Sequence, residues 1–200
     1  HVEREVIVPQ RTPLVTQAGT NSPVISPNGD GLVDSVELSW QLSRTGLISI
    51  AIVDASGTLV RNLLPETPLN GAQSRSWNGQ NDAAQVLPDG QYQIRLRVTD
   101  PAAPGNVEHA EFPVLVDRSP PQIEWLAPAG AISNGRGPLR IRLVEANPRV
   151  LSASAQPALP GLQTQHSGSG ELDLAILDAV PEGSYRLNLT AEDLGGNRAS

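Results

Sequence analysis

The 200-residue chain has no cysteine, no lysine and no methionine, and its only aromatic rings are three Trp, two Tyr and one Phe. Without cysteine there is neither a disulfide framework nor a thiolate metal site. All fourteen basic residues are arginine, so Schiff-base chemistry, a lysine general base and a Lys-Asn isopeptide cross-link are excluded. The histidines, His1, His109 and His166, show no paired zinc-ligand spacing. No G-x-S-x-G nucleophile elbow occurs either, and the chain reads as non-catalytic. A net charge of −7 with no basic block argues against nucleic acid or an anionic membrane surface as partner. No apolar run is long enough for a signal peptide or a membrane span, so direct membrane insertion is not expected.

Glycine and proline are plentiful instead, eighteen of each. With no sustained 3.6-residue period, that composition describes short strands joined by tight turns, an all-β protein. Few rings are available to fill a core, so it must be built mainly from Val, Ile, Leu and Ala.

The stretch Pro88 to Asp100, P-D-G-Q-Y-Q-I-R-L-R-V-T-D, recurs 93 residues later as Pro181 to Asp193, P-E-G-S-Y-R-L-N-L-T-A-E-D. Gly90 aligns with Gly183, Tyr92 with Tyr185 and Asp100 with Asp193 without a gap. In each copy a turn signal precedes alternation, with Tyr92, Ile94, Leu96 and Val98 on one face and Tyr185, Leu187, Leu189 and Ala191 on the other copy's equivalent face. A Gly-Asn pair follows both, at Gly105-Asn106 and Gly196-Asn197. A repeat of this length means two similar domains, each large enough to bury its own core.

Within the first domain the pattern predicts strands at Ser35–Leu42, Leu47–Val53, Thr58–Leu63, Ser74–Trp77, Gln91–Thr99 and Ala110–Val116, with a hairpin turn at Asp54-Ala-Ser-Gly57. The second repeats the plan at Gln122–Leu126, Leu139–Val144, Arg149–Ser154, Glu171–Ile176 and Ser184–Glu192, with a loop over Pro157–Gly170. Some seven strands per copy fit an immunoglobulin-like sandwich. The expected division is residues 1–22 as the terminal strand of a preceding repeat plus a polar linker over Thr16–Ser22, 23–117 as the first domain, 118–121 as a Pro-rich linker, and 122–200 as the second domain. Arg4 to Pro13 is similar, with one residue inserted, to Phe112 to Pro120, the first domain's closing strand and linker, and a frayed terminal arm is the alternative reading. The second domain shows no counterpart of that strand after Gly196-Asn197. Val6–Val8, or its equivalent in a neighbouring molecule, is therefore expected to cover the open edge. With no initiating Met, the chain is read as a processed product or an excised piece of a longer tandem array.

One loop is dense in oxygen donors. In Ser26-Pro-Asn-Gly-Asp-Gly-Leu-Val-Asp-Ser-Val-Glu37 the donors fall at calcium-loop intervals: Ser26, Asn28 and Asp30 first, then a Leu32 carbonyl, Asp34 and Glu37. Position 1 is Ser rather than Asp, and the segment after the loop is a strand, which would aim Glu37 outward. The competing reading gives Asn28 and Asp30 to Asx turns and uses Gly29 and Gly31 for backbone angles closed to other residues. Both readings stand on the residues alone, so the cofactor expectation is none or Ca2+. The cluster Asn78, Gln80, Asn81 and Asp82 reads as hairpin polarity.

S-P-N-G-D-G-L-V-D at 26–34, D-A-S-G-T-L-V-R-N-L-L at 54–64 and S-W-N-G-Q-N-D-A-A-Q-V-L-P-D-G-Q-Y at 76–92 resemble the Ig-like domain of the flagellar hook-capping protein. The resemblance covers Pro23 to Val116. Residues 121–200, through P-E-G-S-Y and A-E-D-L-G-G-N, resemble generic bacterial Ig-like repeats of adhesins. These resemblances imply two tandem immunoglobulin-like β-sandwiches and an exported bacterial protein of the cell surface, extracellular space or periplasm. They imply a structural, spacer or assembly role, with an adhesin or protein-binding module and accessory domains of a secreted hydrolase as alternatives. The implied partners are other domains of one longer chain or neighbouring subunits.

Overall fold

A computed structural model describes residues 12–127, 137–177 and 180–200. All of its regular elements are strands. The described chain divides into two compact units, one comprising the residues up to Ile25 and Ser35–Val116, the other Ser26–Asp34 and Asp117–Ser200.

Unit 1 is built on β1 (Val15–Thr20), β2 (Val24–Ile25), β3 (Val36–Asp54), β4 (Leu59–Trp77), β5 (Gly90–Asp100) and β6 (Ala103–Val116). The order is β1-β3-β5-β6-β2, with β4 also on β3. Two pairs of strands expected separately are each one long strand. β3 runs through both of its predicted segments, and its pairing with β4 shifts between Leu42 and Gly46. Ser43, Arg44 and Thr45 are all exposed at that irregularity, and burial alternation resumes in the same phase at Gly46. The first half of β3 lies between β1 and β4, and the second half lies between β5 and β4. Gly46 is required there: a Cβ would meet Val98 Cγ1 at 2.8 Å.

The predicted inward faces are buried. Val36, Leu38, Trp40 and Leu42, then Ile48, Ile50 and Ile52, join Tyr92, Ile94, Leu96 and Val98 in one core. Trp77 is fully buried and meets Tyr92 edge-on at 5.6 Å, an arrangement favoured by the ring quadrupoles. The Thr16–Ser22 linker is a correction. Most of it is β1, hydrogen-bonded along β3 from Leu42 to Leu38. A strand added to an existing edge gains its stability from backbone pairing, which leaves little periodic signature in its side chains.

Unit 2 has two sheets. One is β10-β9-β12-β13 and the other β11-β8-β7, from β7 (Gln122–Ala127), β8 (Gly137–Val144), β9 (Pro148–Gln156), β10 (Gln165–His166), β11 (Gly170–Leu177), β12 (Arg186–Asp193) and β13 (Arg198–Ala199). The predicted loop over Pro157–Gly170 carries the two-residue β10. A separate core gathers Leu139, Ile141, Leu143, Leu151, Leu174, Leu189 and Ala191. The tyrosines of the repeat make the same hydrogen bond in both units: Tyr92 Oη donates to Pro88 O at 2.9 Å and Tyr185 Oη to Pro181 O at 3.0 Å. The expected strand at Val6–Val8 lies outside the described residues.

Candidate functional site

The oxygen-rich loop folds on itself. Gly29 and Gly31 adopt φ of +83° and +84°, and Val33 adopts +54°, a region costly for a β-branched residue. Asp34 bridges the turn, its Oδ1 accepting from Gly29 N and its Oδ2 from Gly31 N, both at 2.8 Å. Asp30 Oδ1 accepts from Leu32 N at 2.7 Å and Asn28 Oδ1 from Asp30 N at 2.9 Å. These are Asx turns, as the second of the two sequence readings has them. Glu37 belongs to β3 in unit 1, where it is exposed and lies opposite Ser76. The other five proposed donors, Ser26, Asn28, Asp30, Leu32 and Asp34, fall together in unit 2.

The start of the loop reaches Asn197, a residue with no site role in the sequence reading. Ser26 is fully buried, and its Oγ donates to Asn197 Oδ1 at 2.6 Å; Asn28 Nδ2 donates to the same oxygen at 3.2 Å. Asn197 in turn donates through Nδ2 to Asp193 Oδ2 and to the Asp117 carbonyl, both at 2.9 Å, and through its backbone N–H to Asp193 Oδ1 at 2.9 Å. One buried amide therefore ties the loop, the first residue of the unit's main segment and the end of β12 together. Such an amide is fully used in one orientation only, which makes it a specifying contact.

Beside it lie three carboxylates. Oxygens of Asp117, Glu145 and Asp193 lie within 4.8 Å of one another. Asp117 Oδ2 accepts from Asn147 Nδ2 at 2.8 Å, and Glu145 Oε1 accepts from Asn147 N at 2.7 Å. Burial pushes the Glu145 carboxyl above its ordinary value, with the charges of Asp117 and Asp193 adding to the rise. Burial does the same to Asp193, reinforced by Asp117 and opposed by the Asn197 hydrogen bonds. Crowded, partly desolvated acids are relieved by a proton or by a hard cation, and oxygen donors at this spacing suit the latter chemistry. Asp117, Glu145 and Asp193 are distant in sequence, so no spacing motif announces them. The visible clue is the Gly-Asn pair that follows both copies of the repeat, the second ending at Asn197.

The Asn78–Asp82 cluster serves the hairpin. Asp82 accepts from Asn62 N, Asn81 Oδ1 from Ala83 N and Gln85 N, and the Gln80 carbonyl from Trp77 Nε1 at 3.0 Å.

Comparison with known proteins bears on residues 28–102, which match the model of the FlgD Ig-like domain. The C5a peptidase of Streptococcus pyogenes is 25% identical over 114 residues, covering 50% of this chain and 10% of the peptidase. The chain thus matches about a tenth of the length of these relatives. Among solved structures, the periplasmic chaperone SfaE aligns over 92% of this chain and 97% of its own at 11% identity and a TM-score of 0.39. A biofilm-associated protein's BSP domain aligns over 94% of this chain and 28% of its own at 16% identity and a TM-score of 0.32.

Proposed function

We propose that the chain, whose residues 28–102 match the model of the FlgD Ig-like domain, is a non-catalytic spacer or assembly module of a larger exported bacterial protein. It works through other domains of the same chain or through neighbouring subunits. The observation that supports this most is the scale of the C5a peptidase match, in which half of this chain corresponds to 10% of a much longer protein. Two β-sandwich units with separate cores suit a load-bearing or distance-setting part, since each buries its own apolar interior. The export reading draws on the same relatives.

The test is a replacement. Exchanging these 200 residues in the parent protein for an unrelated pair of β-sandwiches of equal length leaves the parent's function intact if they set distance alone. Loss of function with export and display unchanged contradicts the spacer reading and favours a binding role.

A further inference from the structure

The described residues hold three Asn-Gly pairs, Asn28-Gly29, Asn70-Gly71 and Asn78-Gly79. In such a pair the glycine's backbone nitrogen can bond to the side-chain amide carbon of the asparagine and close a succinimide ring, because a residue without Cβ leaves that nitrogen open to close approach. In a flexible chain the step is slow. The N–H proton has no acceptor in place, the negative charge that develops on the amide oxygen has no donor waiting, and the amide turns freely.

At Asn28 the fold supplies each of these. Gly29 N donates to Asp34 Oδ1 at 2.8 Å, so a carboxylate already meets the proton that must leave. That carboxylate is itself held, since Asp34 Oδ2 accepts from Gly31 N at 2.8 Å. Asn28 Oδ1, where the charge develops, accepts from Asp30 N at 2.9 Å, which is the placement of an oxyanion donor. The departing Nδ2 donates to Asp30 Oδ2 at 3.1 Å and to Asn197 Oδ1 at 3.2 Å, and these bonds fix which way round the amide sits. Asn28 and Gly29 are exposed, so water reaches the ring once it has formed. Among the described residues, Gly29 is the one glycine of the three pairs whose N–H goes to a carboxylate.

We propose that Asn28 is a self-modification site, converted through a succinimide to aspartate or isoaspartate. Asp34 takes the proton from Gly29 N, and the freed electron pair of that nitrogen forms the bond to Asn28 Cγ. Charge collects on Oδ1 against the Asp30 N–H. The Cγ–Nδ2 bond then breaks, Nδ2 leaves as ammonia with a proton returned from Asp34 through solvent, and water opens the ring at either carbonyl. The product gains a negative charge and has no N–H to give Asp30 Oδ2 or Asn197 Oδ1, which leaves the Ser26 bond to hold Asn197. The event occurs once per molecule, so it does not make the chain an enzyme, and it stands apart from the spacer reading.

The test compares the whole chain with a synthetic peptide of residues 24–36 incubated alongside it. Proteolytic mapping by mass spectrometry follows Asn28, Asn70 and Asn78 in the same samples. In the folded chain Asn28 should convert at least about tenfold faster than in the peptide, since a positioned base alone is worth that or more, and ahead of Asn70 and Asn78. Its rate should climb less steeply with pH than the peptide's, because a carboxylate rather than hydroxide takes the proton. Asp34→Asn leaves an acceptor oxygen but no base. It should bring the rate down to the peptide's or below and restore the peptide's pH dependence, with the Trp125 melting transition confirming that unit 2 is folded. Conversion of Asn28 in the folded chain no faster than in the peptide, or a folded Asp34→Asn chain that converts as fast as the parent, overturns the assignment.

Discussion

Asp100 and Asp193 end the same strand in the two copies of the repeat, yet their carboxyls are pushed in opposite directions. Asp100 accepts from Arg44 Nη2 at 2.8 Å and is held below its ordinary value, chiefly by that bond. Asp193 accepts instead from Asn197 and shares its surroundings with Asp117 and Glu145; burial holds it above the ordinary value. A duplicated position has thus kept its turn-forming role while its electrostatic partners diverged.

The divergence gives the units different pH dependence. A depressed folded value means that Asp100 contributes stability above its ordinary 3.8 and loses it as pH falls through the lowered value. For Asp193 and Glu145 the sign reverses. Their ionisation penalty is absent below the ordinary 3.8 and 4.5 and sets in as pH rises through the raised folded values. Unit 2 should therefore melt at higher temperature as pH is lowered from neutral toward those values, while unit 1 gains nothing from Asp100. Trp125 is the single tryptophan of unit 2 and reports its melting separately from Trp40 and Trp77. Glu145→Gln should raise the midpoint at neutral pH and flatten its slope, because the amide oxygen can still accept from Asn147 N. A slope unchanged by that substitution would contradict the account.

Ser26→Ala should destabilise unit 2 by about 1–3 kcal/mol, the cost of leaving a buried polar atom with a lost partner. The Ser26 hydroxyl is fully buried against Asn197 Oδ1. Glu37→Ala, on an exposed strand position, should change stability by less than about 0.5 kcal/mol. Urea unfolding followed through Trp125 distinguishes the two, and equal effects would refute the assigned roles.

The calcium expectation is tested through ligand linkage. If the ion binds only the folded state, the unit 2 midpoint should rise with millimolar Ca2+. A rise removed by Asp30→Ala places the ion in the loop, and one removed by Glu145→Ala places it with Asp117 and Asp193. An unchanged midpoint rejects the expectation and leaves both groups as hydrogen-bond acceptors.

Local rules made part of this structure readable. Strict alternation identified the buried faces of β3 and β5 because a half-covered sheet selects for it, and Asp54-Ala-Ser-Gly57 was legible as a turn because Gly57 needs φ of +84°. The continuity of β3 was hidden because Ser43, Arg44 and Thr45 are all exposed, which interrupts the alternation as a turn between two strands would. β1 was hidden because its stability comes from an edge supplied by Leu38–Leu42, residues distant in sequence. The candidate site was half legible. The Asx turns of Asn28 and Asp30 follow from local spacing, but Asn197 meets Ser26 across 171 residues, and only folding brings them together.

The most direct test of two duplicated, separately cored units is calorimetry of the whole chain with one core truncation in each. Leu96 and Leu189 are repeat equivalents, 1% and 8% exposed, and either change to Ala should cost about 2–5 kcal/mol. The account predicts that Leu96→Ala lowers the transition reported by Trp40 and Trp77, and that Leu189→Ala lowers the one reported by Trp125, each leaving the other in place. A single transition displaced equally by both substitutions would contradict it.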